Sequence, residues 1–154
     1  MQKTRRLLLP ALILLALALG YAGLVHALTQ RDAAFPENLS LADRAVVFRS
    51  AGETVTRRTI SRRSEVRSLA EAVIAGLGDP AEEPVPGEDG GIALGAEFYR
   101  GERLLGTFVC LYSTARWPTA GNRVNVRQGD EEQPFLWHVW TGGDLFSDLW
   151  DDLQ

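Results

Sequence analysis

Apolar residues recur with two periods along most of this chain, but its first stretch is apolar throughout. Between Arg6 and Arg31 there is no formal charge, and Leu7–Leu9, Ala11–Leu19, Leu24, Val25 and Leu28 form a nearly continuous apolar run. Some twenty-odd such residues reach across a ~30 Å hydrocarbon layer as a helix, which satisfies its own backbone groups in lipid. Pro10 falls in the first turn, where a missing N–H costs little. Lys3, Arg5 and Arg6 favour a cytoplasmic N-terminus and so place the remainder outside.

The same residues also read as a signal peptide, with a basic n-region to Arg6, an h-region over Leu7–Leu19 and cleavage after Ala27. Leu24, Val25 and Leu28 prolong the run beyond an ordinary h-region, which favours an uncleaved anchor. No cysteine lies near it, so a lipid-modified N-terminus is excluded. Residues 1–28 are therefore expected to be a signal-anchor or signal peptide. Both readings export the rest of the chain, either tethered to the cell membrane or secreted.

Residues 29–43 mix charges with Ala, Pro36 and Asn38 and keep neither period, so they read as a linker. From 44 to 154 the pattern is organised. Ala45–Arg49 and Thr54–Ile60 are β-rich runs around a turn at Ser50–Glu53, which predicts a hairpin. Val66, Leu69, Ala70, Val73, Ile74 and Leu77 then make one helical stripe. Ser61 is the expected N-cap, Gly76 or Gly78 the closure, and Asp79-Pro80 the stop.

Ala81–Gly91 is acidic and rich in Pro and Gly, and reads as a surface loop without the fixed positions of a calcium loop. Ile92–Phe98 and Leu105–Leu111 alternate around Arg100–Arg103, a second hairpin. Ser113–Gly121 forms a loop. Arg123–Arg127 and Phe135–Trp140 make a third hairpin, and Leu145, Phe146, Leu149, Trp150 and Leu153 form the stripe of a final short helix. The pattern predicts an α+β domain in the order β-β-α-β-β-β-β-α. Its antiparallel sheet of about six strands would be crossed on one face by the Val66–Leu77 helix.

Charge changes the picture of partners. The chain carries formal net charge −4, and its first 28 residues are basic, leaving −7 for the rest. An acidic domain is a poor match for phosphate backbones, so nucleic acid is not an expected partner. Cys110 is the only cysteine, so no internal disulfide can form and the core must hold the fold.

Candidate chemistry is sparse. Arg57, Arg58, Arg62, Arg63 and Arg67 crowd the join of strand and helix, where guanidinium forks and a helix start suit an anion. A solvated face balanced by acids reads the same spacing. Cys110 lies mid-strand between Val109 and Leu111, the setting of a buried, inert thiol. His138 is the sole histidine past residue 28, too few for a conventional zinc site. As a general base it would need a carboxylate brought close by folding. Trp117, Trp137, Trp140 and Trp150 suit either a small core or an aromatic platform.

No phosphate loop, nucleophile elbow or metal motif occurs, and no cofactor is expected. Organised patterning without convergent reactive groups points to a non-enzymatic module that binds a protein or envelope component. Two alternatives stay open: an exported hydrolase using His138 with a carboxylate, and an anion sensor in which at least three of the five arginines converge.

Overall fold

A computed structural model describes residues 34–83, 91–112, 123–130 and 132–153. The expected segment 1–28, the first part of 29–43, most of the Ala81–Gly91 loop and the Ser113–Gly121 loop with Trp117 lie outside the described residues. Among the described residues no helix is long and apolar enough to cross a membrane.

Seven strands form one antiparallel sheet: β1 (Arg44–Ala51), β2 (Thr54–Ile60), β3 (Leu77–Pro80), β4 (Ile92–Arg100), β5 (Arg103–Tyr112), β6 (Arg123–Gln128) and β7 (Leu136–Trp140). Their spatial order is β2-β1-β4-β5-β6-β7-β3. Two helices complete the domain, α1 (Arg63–Gly76) and α2 (Leu145–Asp152), with a 3-10 helix at Glu37–Leu41.

Side chains alternate across each strand, so the register assigns them to two faces. Ile60, Ala45, Phe98 and Gly106 fall in one row, and Val47, Ala96, Phe108 and Val126 in the next. These point to the face that carries both helices. There Val66, Leu69, Ala70 and Val73 of α1, and Phe146 and Trp150 of α2, complete a continuous core. The far face carries Val46, Phe48, Glu97 and Thr107, which are also buried.

The sheet has seven strands rather than about six, and the additional one is β3. Leu77 is the last residue of the apolar stripe, but it leaves the helix and pairs with Trp140. The reason lies at Gly76. Its carbonyl accepts from the Thr141 N–H at 2.8 Å and the Thr141 hydroxyl at 3.2 Å, which satisfies an otherwise orphaned helix-end acceptor. A Cβ there would lie 2.9 Å from the Gly142 Cα and the Trp140 ring. Close approach at a residue without a side chain thus ends α1 against β7 and lays the next residues beside that strand.

Helix α1 joins β2 at one edge of the sheet to β3 at the other, crossing the sheet with about 21 Å of helix. Its start also differs from expectation. Arg62, not Ser61, is the N-cap, and no side chain caps it; the Arg62 guanidinium instead reaches Glu65 at 2.7 Å.

The segment read as linker contributes to the fold in its second half. Leu39 is fully buried, Phe35 packs against the core, and the Phe35 and Phe108 rings stack with centroids 5.8 Å apart. Phe35–Gln154 accordingly groups as one unit. Pro36 and Asn38 mask the apolar contributions of Phe35 and Leu39 from any periodic pattern.

Candidate functional site

The five arginines disperse. Strand alternation sends Arg57 and Arg58 to opposite faces. Arg57 pairs with Glu97 at 2.7 Å on the far face. Arg58 donates to the Trp150 carbonyl at 3.1 Å on the helix face and lies over the Trp150 ring. On α1, Arg62 pairs with Glu65 and Arg67 with Glu71, both as exposed neighbours along the helix, and Arg63 is exposed. The convergence of three guanidiniums that an anion sensor requires is not built here.

Among the described residues Glu97 is the one buried carboxylate. It accepts from Arg57 and, at 2.9 Å, from the Tyr99 hydroxyl. Burial and the hydrogen bond to this carboxylate raise the Tyr99 phenol above its ordinary value. On the same face Thr107 lies opposite Arg127, and Asn125 opposite Val109. Thr107 Oγ1, Asn125 Oδ1 and Arg127 Nε are buried there without a hydrogen-bond partner.

The tryptophans do not share a platform. Trp140 is buried on the helix face, stacked 5.4 Å from Phe146, with its indole N–H on the Gly143 carbonyl. Trp150 is buried under Arg58. Trp137 is half-buried on the far face, opposite Asn125. Core packing thus claims Trp140 and Trp150, and among the described tryptophans only Trp137 lies near solvent.

His138 lines a hollow of about 260 Å³ with Phe35, Val126, Gln128, Gln133, Pro134 and Leu136. Its Nδ1 lies 3.1 Å from the Gly78 carbonyl, which only accepts, so Nδ1 donates there. Among the described residues neither a carboxylate nor a hydroxyl or thiol nucleophile lines the hollow, so they assemble no acid–base pair around it.

Cys110 is buried beside Tyr112, and desolvation pushes its thiol up to about 12, which leaves it protonated and inert. Among the described residues no group of His, Cys, Asp and Glu could hold a metal ion.

A different surface emerges that sequence patterning missed. Among the described residues, four large apolar side chains are exposed: Val55, Phe135, Leu136 and Val139. Three of them fall within five residues at β7. Leu136, at 59%, is the most open and forms the lip of the His138 hollow. Alternation sets Leu136 with His138 on the helix face and Val139 with Trp137 on the far face, where the Arg127 guanidinium lies 4.7 Å from the Phe135 ring. An exposed apolar lip beside an apolar hollow suits the capture of a partner side chain.

Compared with family models, curated proteins and solved structures, the chain matches none.

Proposed function

We propose that this chain is a membrane-tethered, extracytoplasmic binding module that performs no chemistry and holds a partner protein of the cell envelope. Supporting the tether are the three basic residues ahead of the uncharged run to Leu28. The observation that carries the binding role is exposed Leu136 at the mouth of the His138 hollow. An apolar side chain of this size gains about 1.5–3 kcal/mol on full burial, so leaving Leu136 59% exposed beside a hollow marks a surface completed by another molecule. The hollow is large enough for one apolar anchor of a partner and offers it Gln128, Gln133 and His138 as polar neighbours.

Two measurements test this. Intact mass of the protein from membrane and soluble fractions should give a full-length species confined to membranes; a soluble species starting near Leu28 would remove the tether. A photo-cross-linker at position 136 in intact cells should join the chain to one discrete protein, whereas one on exposed Glu71 should not. With the cross-linker moved to position 133 on the same hollow, Leu136→Ser should reduce the adduct about fivefold or more. Equal labelling from positions 136 and 71, or no adduct from either, would remove the binding role.

A further inference from the structure

We infer that the outer edge of β2 accepts an extended, acidic segment of a partner protein as an eighth strand. This builds on the binding-module reading and adds a second surface, at the far end of the sheet from β7.

The two ends of the sheet are finished differently. β3 is four residues long, contains Gly78 and Pro80, and has an irregularity between Leu77 and Pro80. Shortness, proline and broken register are the usual devices that stop an edge from recruiting another strand. β2 has none of them. Its register with β1 is unbroken from Ala45↔Ile60 to Ala51↔Thr54. Thr54, Val55, Thr56, Thr59 and Ile60 are β-branched, and the strand lacks Pro, Gly and Lys. Among the described residues no strand pairs with its outer side.

Turn geometry identifies the groups presented. Gly52-Glu53 is a two-residue turn, with Gly52 at φ 59°, so Ala51 and Thr54 form the closing hydrogen-bonded pair. Alternation along the ladder then turns the backbone N–H and C=O of Val55, Arg57 and Thr59 outwards. All three residues are exposed, Val55 at 52%.

The long side chains do not shield this edge. Arg57 is drawn back over the far face by Glu97, and Arg58 over the helix face by Trp150. The Arg57 side chain remains 56% exposed in its ion pair, and exposed Arg62 and Arg63 come directly after the strand. An incoming strand with acidic residues would meet positive charge on this edge. A second copy paired antiparallel about Arg57 would instead set Arg57 opposite Arg57, an unfavourable like-charge pair. Charge therefore favours an acidic partner over self-pairing.

The test uses the full chain in detergent micelles and a synthetic ten-residue peptide alternating valine and glutamate, read by amide hydrogen exchange. The peptide should slow exchange at Val55, Arg57 and Thr59 about tenfold or more. The same peptide with lysine for glutamate, or with alternate N-methylation, should leave those amides unchanged. Val55→Pro removes an outward N–H without touching a bond to β1, and should abolish protection while circular dichroism stays native.

Equal protection by the lysine peptide, or protection confined to other strands, would overturn the proposal. So would concentration-dependent protection of these amides without peptide, which would make a second copy the occupant. A chain that still cross-links through position 136 but shows no peptide protection loses the edge strand alone; one that does neither loses both readings.

Discussion

Arg58 and Trp150 are 92 residues apart in sequence, yet the Arg58 Nη1 donates to the Trp150 carbonyl and its guanidinium lies 4.2 Å from the Trp150 ring centroid. One side chain thus fastens the final helix to the edge strand of the first hairpin. It also supplies a donor to a carbonyl in the last turn of α2, where Asp151 and Asp152 oppose the helix dipole. Arg58→Ala should cost about 1–3 kcal/mol in urea unfolding, since a charged hydrogen bond and a cation–π contact are lost together. Arg58→Lys should recover less than half, because an ammonium lacks the planar stack. Full recovery by lysine would mean that charge alone is at work.

Gly76 sets two effects of opposite sign against each other. In an open helix, Gly→Ala gains about 1 kcal/mol from propensity. Here the new methyl would press on the Gly142 backbone and the Trp140 ring at 2.9 Å, and overpacking of this kind costs about 1–3 kcal/mol. Gly76→Ala should therefore destabilise, with the loss seen as a lower thermal midpoint and as faster exchange of the β3 amides. A raised midpoint would show that α1 does not press on β7.

Leu39 tests where the domain begins. It is fully buried in a segment whose sequence resembles a tether. Leu39→Ala should cost about 2–5 kcal/mol, whereas the neighbouring exposed Ser40→Ala, with only a local bond to the Glu37 carbonyl, should cost about 1 kcal/mol or less. Equal small effects at both positions would return residues 35–41 to the linker.

Cys110 makes stability depend on alkaline pH. Burial holds its thiol at about 12, above its ordinary value of 9.0. The folded chain thus keeps a proton that the unfolded chain releases. This contribution is whole below pH 9 and is lost as pH rises toward 12, by roughly 4 kcal/mol in all. Tyr112, its phenol also raised by burial, adds loss of the same sign above pH 10. Cys110→Ala should flatten the fall in denaturation midpoint between pH 9 and 12 while leaving the Tyr112 part. An unchanged slope would place the alkaline sensitivity elsewhere. In the wild-type chain at pH 8, a thiol reagent should label Cys110 only on unfolding.

The sequence was most legible where local and global preferences agree. The hairpin of β4 and β5 is carried by alternation on both arms and by Gly101 in the turn, so its ends fall close to Ile92 and Tyr112. The stripe of α1 is equally plain from Val66 to Ile74. β3 was not legible, because Leu77 continues the helical period and Asp79-Pro80 reads as a stop. What makes these residues a strand is Trp140, some sixty positions later. The Ser61 cap failed for a related reason: the first turn is held by Arg62 and Glu65 rather than by a hydroxyl.

The candidate surface was less legible than the fold. Five neighbouring arginines look like one site, but period-two alternation parts Arg57 from Arg58, and Glu97 and Trp150 lie too far along the chain to be seen as their partners. Phe135–Trp140 is apolar at almost every position and reads only as the return arm of a hairpin, with no face marked for solvent. Its exposure arises from topology. Among the described residues β3 pairs with β7 around Trp140 and His138, with one further bond from the Ala81 N–H to the Trp137 carbonyl, so the Leu136 end has a paired strand on one side alone.

The crossing of α1 from one edge of the sheet to the other has a consequence for how the chain is made. Whether it emerges from a ribosome or is threaded through a membrane, it appears from the N-terminal end. β1, β2 and α1 come first, but β3 has no ladder until β7 arrives, and Arg58 has no anchor until Trp150 arrives. No N-terminal part of the domain is therefore a finished intermediate, and acquisition of the native sheet waits for β7. High contact order of this kind makes folding slow and all-or-none. A chain in which β7 has not yet emerged should thus remain unfolded.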